Sequence, residues 1–257
     1  MSASSALFCT LAFNLVFFVQ ELLLVIPKAL TPGLHPTLFH NNHSWTGTNP
    51  LADLLQGTGA LADLACGLLF ALLLAKAVNR STSSRLFLFW MTYQGFYLAL
   101  PQFVIGAFVP ANDVGMAMHY LDLSAVAKQT LALFAFLLMI AIGLWLSRQF
   151  VRLMGSDVET ASGPARMGFV FRSATLPALV AVALLVPFRE PRDLIEVVLL
   201  PLIVMICGML WVQPGAWFAN PSNRVERAKP SLAVPFICLV MVLALFQLVL
   251  RPGIRFY

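Results

Sequence analysis

The sequence predicts an all-α, polytopic integral membrane protein with about seven transmembrane helices. Three observations predict it. Apolar residues make up 60% of the 257 positions and charged ones only 11%, with a mean hydropathy of +0.86; a soluble domain of this length could not bury so much apolar surface. Seven long apolar stretches recur, at 6–27, 58–78, 85–109, 125–147, 169–187, 194–212 and 232–250, each near the roughly 20 residues that cross a hydrocarbon core. None alternates in polarity as a barrel strand does, so helices are the spans expected.

The first stretch is long for a signal-peptide core and has no basic segment before it, so it reads as a retained span. It carries Asn14, Gln20 and Glu21. A carboxylate within a span costs on the order of 3 kcal/mol on insertion scales, so Glu21 is expected to pair or to act. Asn14 and Glu21 are seven apart, on one helical face. The segment 28–57 holds three of the four histidines, His35, His40 and His43. Pro36-Thr37-Leu38-Phe39 reads as the cap of a short interfacial helix, with Trp45 at headgroup depth. On such a turn His40 and His43 point the same way, a spacing suited to zinc or copper. A plain polar interfacial loop is the competing expectation.

The second span follows Asp53 and contains Asp63; the third contains Tyr93, Gln94 and Gln102; the segment 110–124 adds Asp113, His119 and Asp122. The last three spans are blander apart from Glu196, and Pro177, Pro187, Pro201 and Pro235 are expected to kink or end them. The chain thus divides into a polar four-helix half, 1–150, and a three-helix supporting half, 151–257, about a polar linker at 155–163.

The net charge of +5 is spread over loops and does not point to nucleic acid. Lys76, Arg80 and Arg85 flank one short loop, Arg148, Arg152, Arg166 and Arg172 a second, and Arg224, Arg227 and Lys229 a third. The positive-inside bias makes these cytoplasmic. The N-terminus is then cytoplasmic too, and the histidine loop and 110–124 are extracytoplasmic. Cys9, Cys66, Cys207 and Cys238 all lie within apolar runs without a C-x-x-C pair, as packing residues do. No nucleophile elbow or phosphate-binding glycine loop is present.

Three segments in order, Phe18-Val19-Gln20-Glu21-Leu22-Leu23-Leu24, Gln56-Gly57-Thr58-Gly59-Ala60-Leu61-Ala62-Asp63-Leu64 and Pro110-Ala111-Asn112-Asp113-Val114-Gly115, resemble the core of site-2-protease-like membrane metalloproteases. That family orders a His-Glu-x-x-His helix, a Gly-Pro-x-Ala-Asn-like helix start and an Asp-Gly pair. The resemblance covers residues 10–120. It implies that Glu21 is a general base, Asp113 a metal ligand and zinc the cofactor. Gln20 and Leu24 stand where the family's two histidine ligands would be, and the third segment has one extra residue. A metal would therefore need imidazoles from elsewhere, and His40, His43 and His119 are the candidates.

The first functional expectation is accordingly a divalent-metal site, zinc first, at the extracytoplasmic face. Glu21, His40 and His43 lead it and Asp113 and His119 complete it; the chemistry is metal-assisted hydrolysis, or a derivative that has lost it. The second is a transport or accessory subunit without chemistry, in which Glu21, Asp63, Gln94 and Gln102 line a polar path or a partner-helix interface. The bilayer is the partner both expect, with partner subunits in the second.

Overall fold

A computed structural model describes residues 1–77, 80–158, 162–219 and 229–257. Helix α1 (Ser2–Ala29) runs into a hairpin of β1 (Leu34–Leu38) and β2 (His43–Gly47). There follow α2 (Ala52–Lys76), α3 (Thr82–Gly106), the short α4 (Asp113–Tyr120) and α5 (Ala125–Val151). Three more long helices, α6 (Gly163–Arg189), α7 (Glu196–Phe218) and α8 (Ala233–Leu250), precede a two-residue strand β3 (Ile254–Arg255). Arg224 and Arg227, and part of the expected 155–163 linker, lie outside the described residues.

Among the described residues six helices are long and apolar enough to cross a membrane: α1, α2, α5, α6, α7 and α8. Their outer faces form an apolar belt, with Leu72, Phe134, Leu137, Ile237, Met241 and Leu248 all exposed. Such a belt is compatible with a membrane-spanning bundle. The seventh expected span, α3, is as long as α2 but is absent from that apolar set, because it is the polar centre of the bundle. Its side chains bond to neighbours where the other long helices present hydrocarbon outward. Trp90 Nε1 donates to Ser5 Oγ at 3.0 Å, Tyr93 Oη to the Met205 carbonyl at 2.7 Å and Tyr97 Oη to the Met139 carbonyl at 2.8 Å. Gln94 Nε2 reaches Cys9 Sγ at 3.5 Å. Such bonds across helices hold a bundle together where lipid offers no alternative partner. A Cβ on Gly95 would lie 2.4 Å from the Gly67 backbone nitrogen, so α2 and α3 cross at backbone contact. One continuous core joins Phe13 and Phe89 with Leu146, Leu185 and Met209, drawing on both halves of the chain.

The prolines of the later helices lie within them and end none at their own position. The ladder widens to π-turns at Phe171–Thr175 and Ile195–Leu199, just before Pro177 and Pro201, whose missing N–H groups would otherwise leave gaps.

The bundle has two ends. One gathers Ser2 against Arg172, Ser231 against Ser83 and Arg166 against Trp217. The other gathers the hairpin, α4, the 190–195 turn and the C-terminus: β1 pairs antiparallel with β2 and β3, and Phe256 N bonds to the Pro36 carbonyl at 3.1 Å. The hairpin corrects the expected interfacial helix at 36–43. Pro36 and the extended register Leu34↔Gly47 to Leu38↔His43 hold these residues as strands. Gly47, at φ 89°, is required there, because a side chain would strike the Gly33 carbonyl.

Candidate functional site

The hairpin end of α1 positions two ionisable side chains. Glu21 and Lys28 are seven residues apart and so lie on one face, two turns from each other. Both are buried, Glu21 at 4% and Lys28 at 0% exposure. The hairpin lays His43 against them, and the first turns of α2 bring Gln56. His43 Nδ1 donates to Glu21 Oε2 at 2.8 Å. Its Nε2 lies 3.1 Å from Gln56 Oε1 and 3.4 Å from Lys28 Nζ. Lys28 Nζ also donates to Gln56 Oε1 and, at 3.1 Å, to the Leu24 carbonyl, and sits 4.6 Å from the centre of the Trp45 ring. Gln56 Nε2 donates to Asp113 Oδ1 at 3.1 Å. The Trp45 ring stacks on the His43 imidazole at 5.7 Å and 12°.

This arrangement serves His43 in either protonation state. As imidazolium, its Nε2–H can donate to Gln56 Oε1. As the neutral Nδ1–H tautomer, its Nε2 lone pair can accept from the Lys28 ammonium. Either way Nδ1–H keeps its carboxylate. The ring thus has a hydrogen-bond partner in place at each nitrogen.

The site opens into a cavity of about 460 Å³ lined by Phe17, Gln20, Glu21, Tyr97, Gln102, Asp113 and Arg189, with Asn41 and Asn42 from the hairpin loop. Arg189 is 3% exposed. Its guanidinium lies 4.4 Å from the Phe17 ring centre and 5.7 Å from that of Phe13, and Nε donates to the Glu196 carbonyl at 3.1 Å. Burial pushes the Asp113 carboxyl above the usual carboxylate range, with His43 and Lys28 pulling against it and Glu21 adding to it.

The sequence candidates divide accordingly. Glu21, His43 and Asp113 come together, and Gln20 and Gln102 join them at the cavity wall. Gln56 bonds to both His43 and Asp113 and so links the first turns of α2 to the hairpin and α4. His40 turns away: its Nε2 donates to the Glu190 carbonyl at 2.8 Å, and its ring packs 5.9 Å from Phe246. In a hairpin the i,i+3 pair does not share a face, and the paired imidazoles expected of a helical turn do not form. Burial lowers His40's affinity for a proton, and Arg251, Arg189 and Arg192 lower it further against the Glu190 hydrogen bond. His119 is exposed at the end of α4. His35 packs against Tyr257 at 5.1 Å. Asn14 bonds within its own helix to the Thr10 carbonyl, and Gln94 bonds to the core sulfurs. Asp63 is fully buried in α2, and neither carboxylate oxygen has a hydrogen-bond partner among the described residues.

Among the described residues no three His, Cys, Asp or Glu side chains are grouped to hold a metal ion. The donors do not fit one: His43 has both ring nitrogens engaged, His40 has its Nε2 on Glu190, and the Lys28 ammonium occupies the centre of the cluster. A metal would have to displace a cation the chain already supplies.

Lys28, Gln56 and Arg189 were missed as site residues. Gln56 figured in the sequence only as the first residue of the second protease-like segment. The Glu21–Lys28 spacing of seven was the signal available for Lys28; Gln56 and Arg189 reach the site through tertiary packing alone.

No protein-family model, curated protein or solved structure matches the chain.

Proposed function

We propose that this chain is a seven-span membrane protein whose hairpin-end chamber binds the polar part of a ligand and exchanges a proton with it through Glu21 and His43. The observation that carries this reading is the 2.8 Å His43–Glu21 contact, buried at the wall of a 460 Å³ cavity. A pocket of that size, apolar with a few convergent polar groups, is the usual form of a ligand site. Counting α3 as a span places the hairpin and the α4 segment at the same end, which agrees with their mutual contact through Gln56 and Asp113. The opposite end carries Lys76, Arg80, Arg148, Arg152, Arg166 and Arg172, so the positive-inside bias supports a hairpin end facing away from the cytoplasm.

The non-catalytic and catalytic versions of this reading share the same dyad. In transport the proton taken by Glu21–His43 would be coupled to the ligand; in catalysis the neutral imidazole would act as base and the imidazolium as acid. Metal-assisted hydrolysis is the reading the donor set supports least.

The test is a thermal-shift screen of the solubilised protein at pH 6 and pH 8 against small carboxylates, phosphate esters, amino acids and phospholipids. At least one class is expected to stabilise the wild type to an extent that changes with pH, and Glu21→Gln and His43→Gln are expected to abolish that change. Binding with the same pH response in both variants would remove the dyad from the account. No stabilisation by any class would remove the chamber.

A further inference from the structure

Arg189 stands apart from the other charges around the chamber. Glu21 is paired with His43, Asp113 accepts from Gln56, and Arg192 pairs with Glu196 at 2.9 Å. Arg189 is as buried as Glu21, yet no carboxylate lies within 4 Å of it among the described residues. Its Nε is used on a backbone carbonyl, and its flat face is fixed over Phe17. Glu21 and Glu196 line the same cavity and act on its charge from beyond that distance; a buried guanidinium held by stacking with no carboxylate in direct contact can serve as an anion site, since the planar fork suits a carboxylate or phosphate.

The same cavity has a second, apolar wall. Ile105 at the end of α3 and Leu199, Leu200 and Ile203 at the start of α7 line it. These residues are also 37–44% exposed. Deeper in, α5 closes the seam between α3 and α7, where Tyr97 bonds to Met139 and Gly143 abuts Trp211. Nearer the hairpin, the first turns of α5 present Val126, Gln129, Thr130 and Leu131 outward. An apolar, partly exposed wall of this kind suits a chamber that opens sideways between α3 and α7.

We propose that the chamber takes the headgroup of an anionic lipid, which enters between α3 and α7, sets its anion on Arg189 and leaves its chains along the seam. The charge of Arg189 selects the headgroup, and the apolar seam selects a ligand with hydrocarbon attached. The cavity is too small for a whole two-chain lipid, as a headgroup site should be. This deepens the chamber reading above and rests on the chamber being a ligand site.

The test uses the full chain in nanodiscs of phosphatidylcholine doped with phosphatidylglycerol, with lipids that survive detergent extraction identified by native mass spectrometry. The wild type is expected to retain phosphatidylglycerol about tenfold over phosphatidylcholine, a ratio of the size one charge-assisted contact gives. Arg189→Gln is expected to erase that preference. Ile203→Trp, which fills the seam without touching the dyad, is expected to reduce retention of either lipid. Free glycerol 3-phosphate should not compete. Equal retention of the two lipids, unchanged preference in Arg189→Gln, or competition by the free headgroup at the lipid's own concentration would overturn the proposal. Should Arg189→Gln not fold, unchanged retention in Ile203→Trp overturns it alone. If lipid fails here while a soluble class still shows a Glu21-dependent pH response, the lipid proposal falls and the proton-exchange reading stands. If lipid binds through Arg189 and the pH response ignores Glu21, the reverse holds.

Discussion

Replacing Lys28 by methionine keeps the length and apolar stem of the side chain and removes only the ammonium. The structure allows the cost to be worked out. Lys28 Nζ supplies a charge-assisted hydrogen bond to Gln56, which is worth about 1.5–3 kcal/mol. It also supplies a cation–π contact to Trp45 at 4.6 Å, worth roughly 0.5–2 kcal/mol where desolvated. Its loss leaves the negative charge of Glu21 and Asp113 without its nearest lysine, and breaking a buried charge network in this way costs about 3–5 kcal/mol. The two contacts together come to about 2–5 kcal/mol, which brackets the cost of a broken buried charge network, so about 3–5 kcal/mol is the destabilisation expected of Lys28→Met. Equilibrium unfolding of the solubilised protein, read by tryptophan fluorescence, measures it. Adding Asp113→Asn should recover at least 1 kcal/mol or so of the loss, because the amide can still accept from Gln56 and no longer carries an unbalanced charge. A Lys28→Met protein within about 0.5 kcal/mol of wild type, the range of a surface substitution, would refute the cluster as an interacting unit.

Three further outcomes are expected. Because burial lowers the proton affinity of folded His40, the unfolded chain takes up that proton first as pH falls below about 6.5; thermal stability should therefore decline from pH 7 toward pH 5 with a slope that His40→Gln reduces, and an identical slope in the variant would contradict this. Asp63→Val removes two buried, unbonded carboxylate oxygens and should stabilise the protein by about 1–3 kcal/mol, whereas a strongly destabilised variant would show that Asp63 has a partner in the working protein. Gly95→Ala forces a methyl group against the Gly67 backbone and should cost about 1–3 kcal/mol or more in unfolding experiments; a neutral result would mean that α2 and α3 can separate freely.

Much of the helical framework was legible because a span must be long and apolar, and composition records that directly. Six of the expected stretches coincide with helices that meet this condition. The stretch at 85–109 also forms a helix, α3, but Thr92, Gln94 and Gln102 make it more polar: Thr92 and Gln102 bond back to carbonyls of their own helix, and Gln94 reaches Cys9 and Met205 on neighbouring ones. The site was half legible. Glu21 could be found because an acid in an apolar run must have a reason, and His43 because imidazoles are few. The hairpin was not legible: Pro36-Thr37-Leu38-Phe39 is too short for periodicity to separate a helical turn from a strand. Reading it as a helix paired His40 with His43, where the extended backbone parts them. Lys28 and Arg189 were hidden for another reason. Both stand at helix ends, where a cation ordinarily serves topology, and only the packed structure shows that they face inward.

The account turns on how His43 is held, and its tautomer tests that most directly. Nitrogen-15 NMR of histidine-labelled protein distinguishes a protonated ring nitrogen from a bare one and so reads the tautomer of the neutral ring. Neutral His43 should carry its proton on Nδ1, donating to Glu21, with Nε2 bare and accepting from Lys28. In Glu21→Leu the proton should move to Nε2, where Gln56 Oε1 can accept it. Neutral His43 protonated on Nε2 in the wild type, or unchanged by loss of Glu21, would contradict the dyad and the proton exchange built on it.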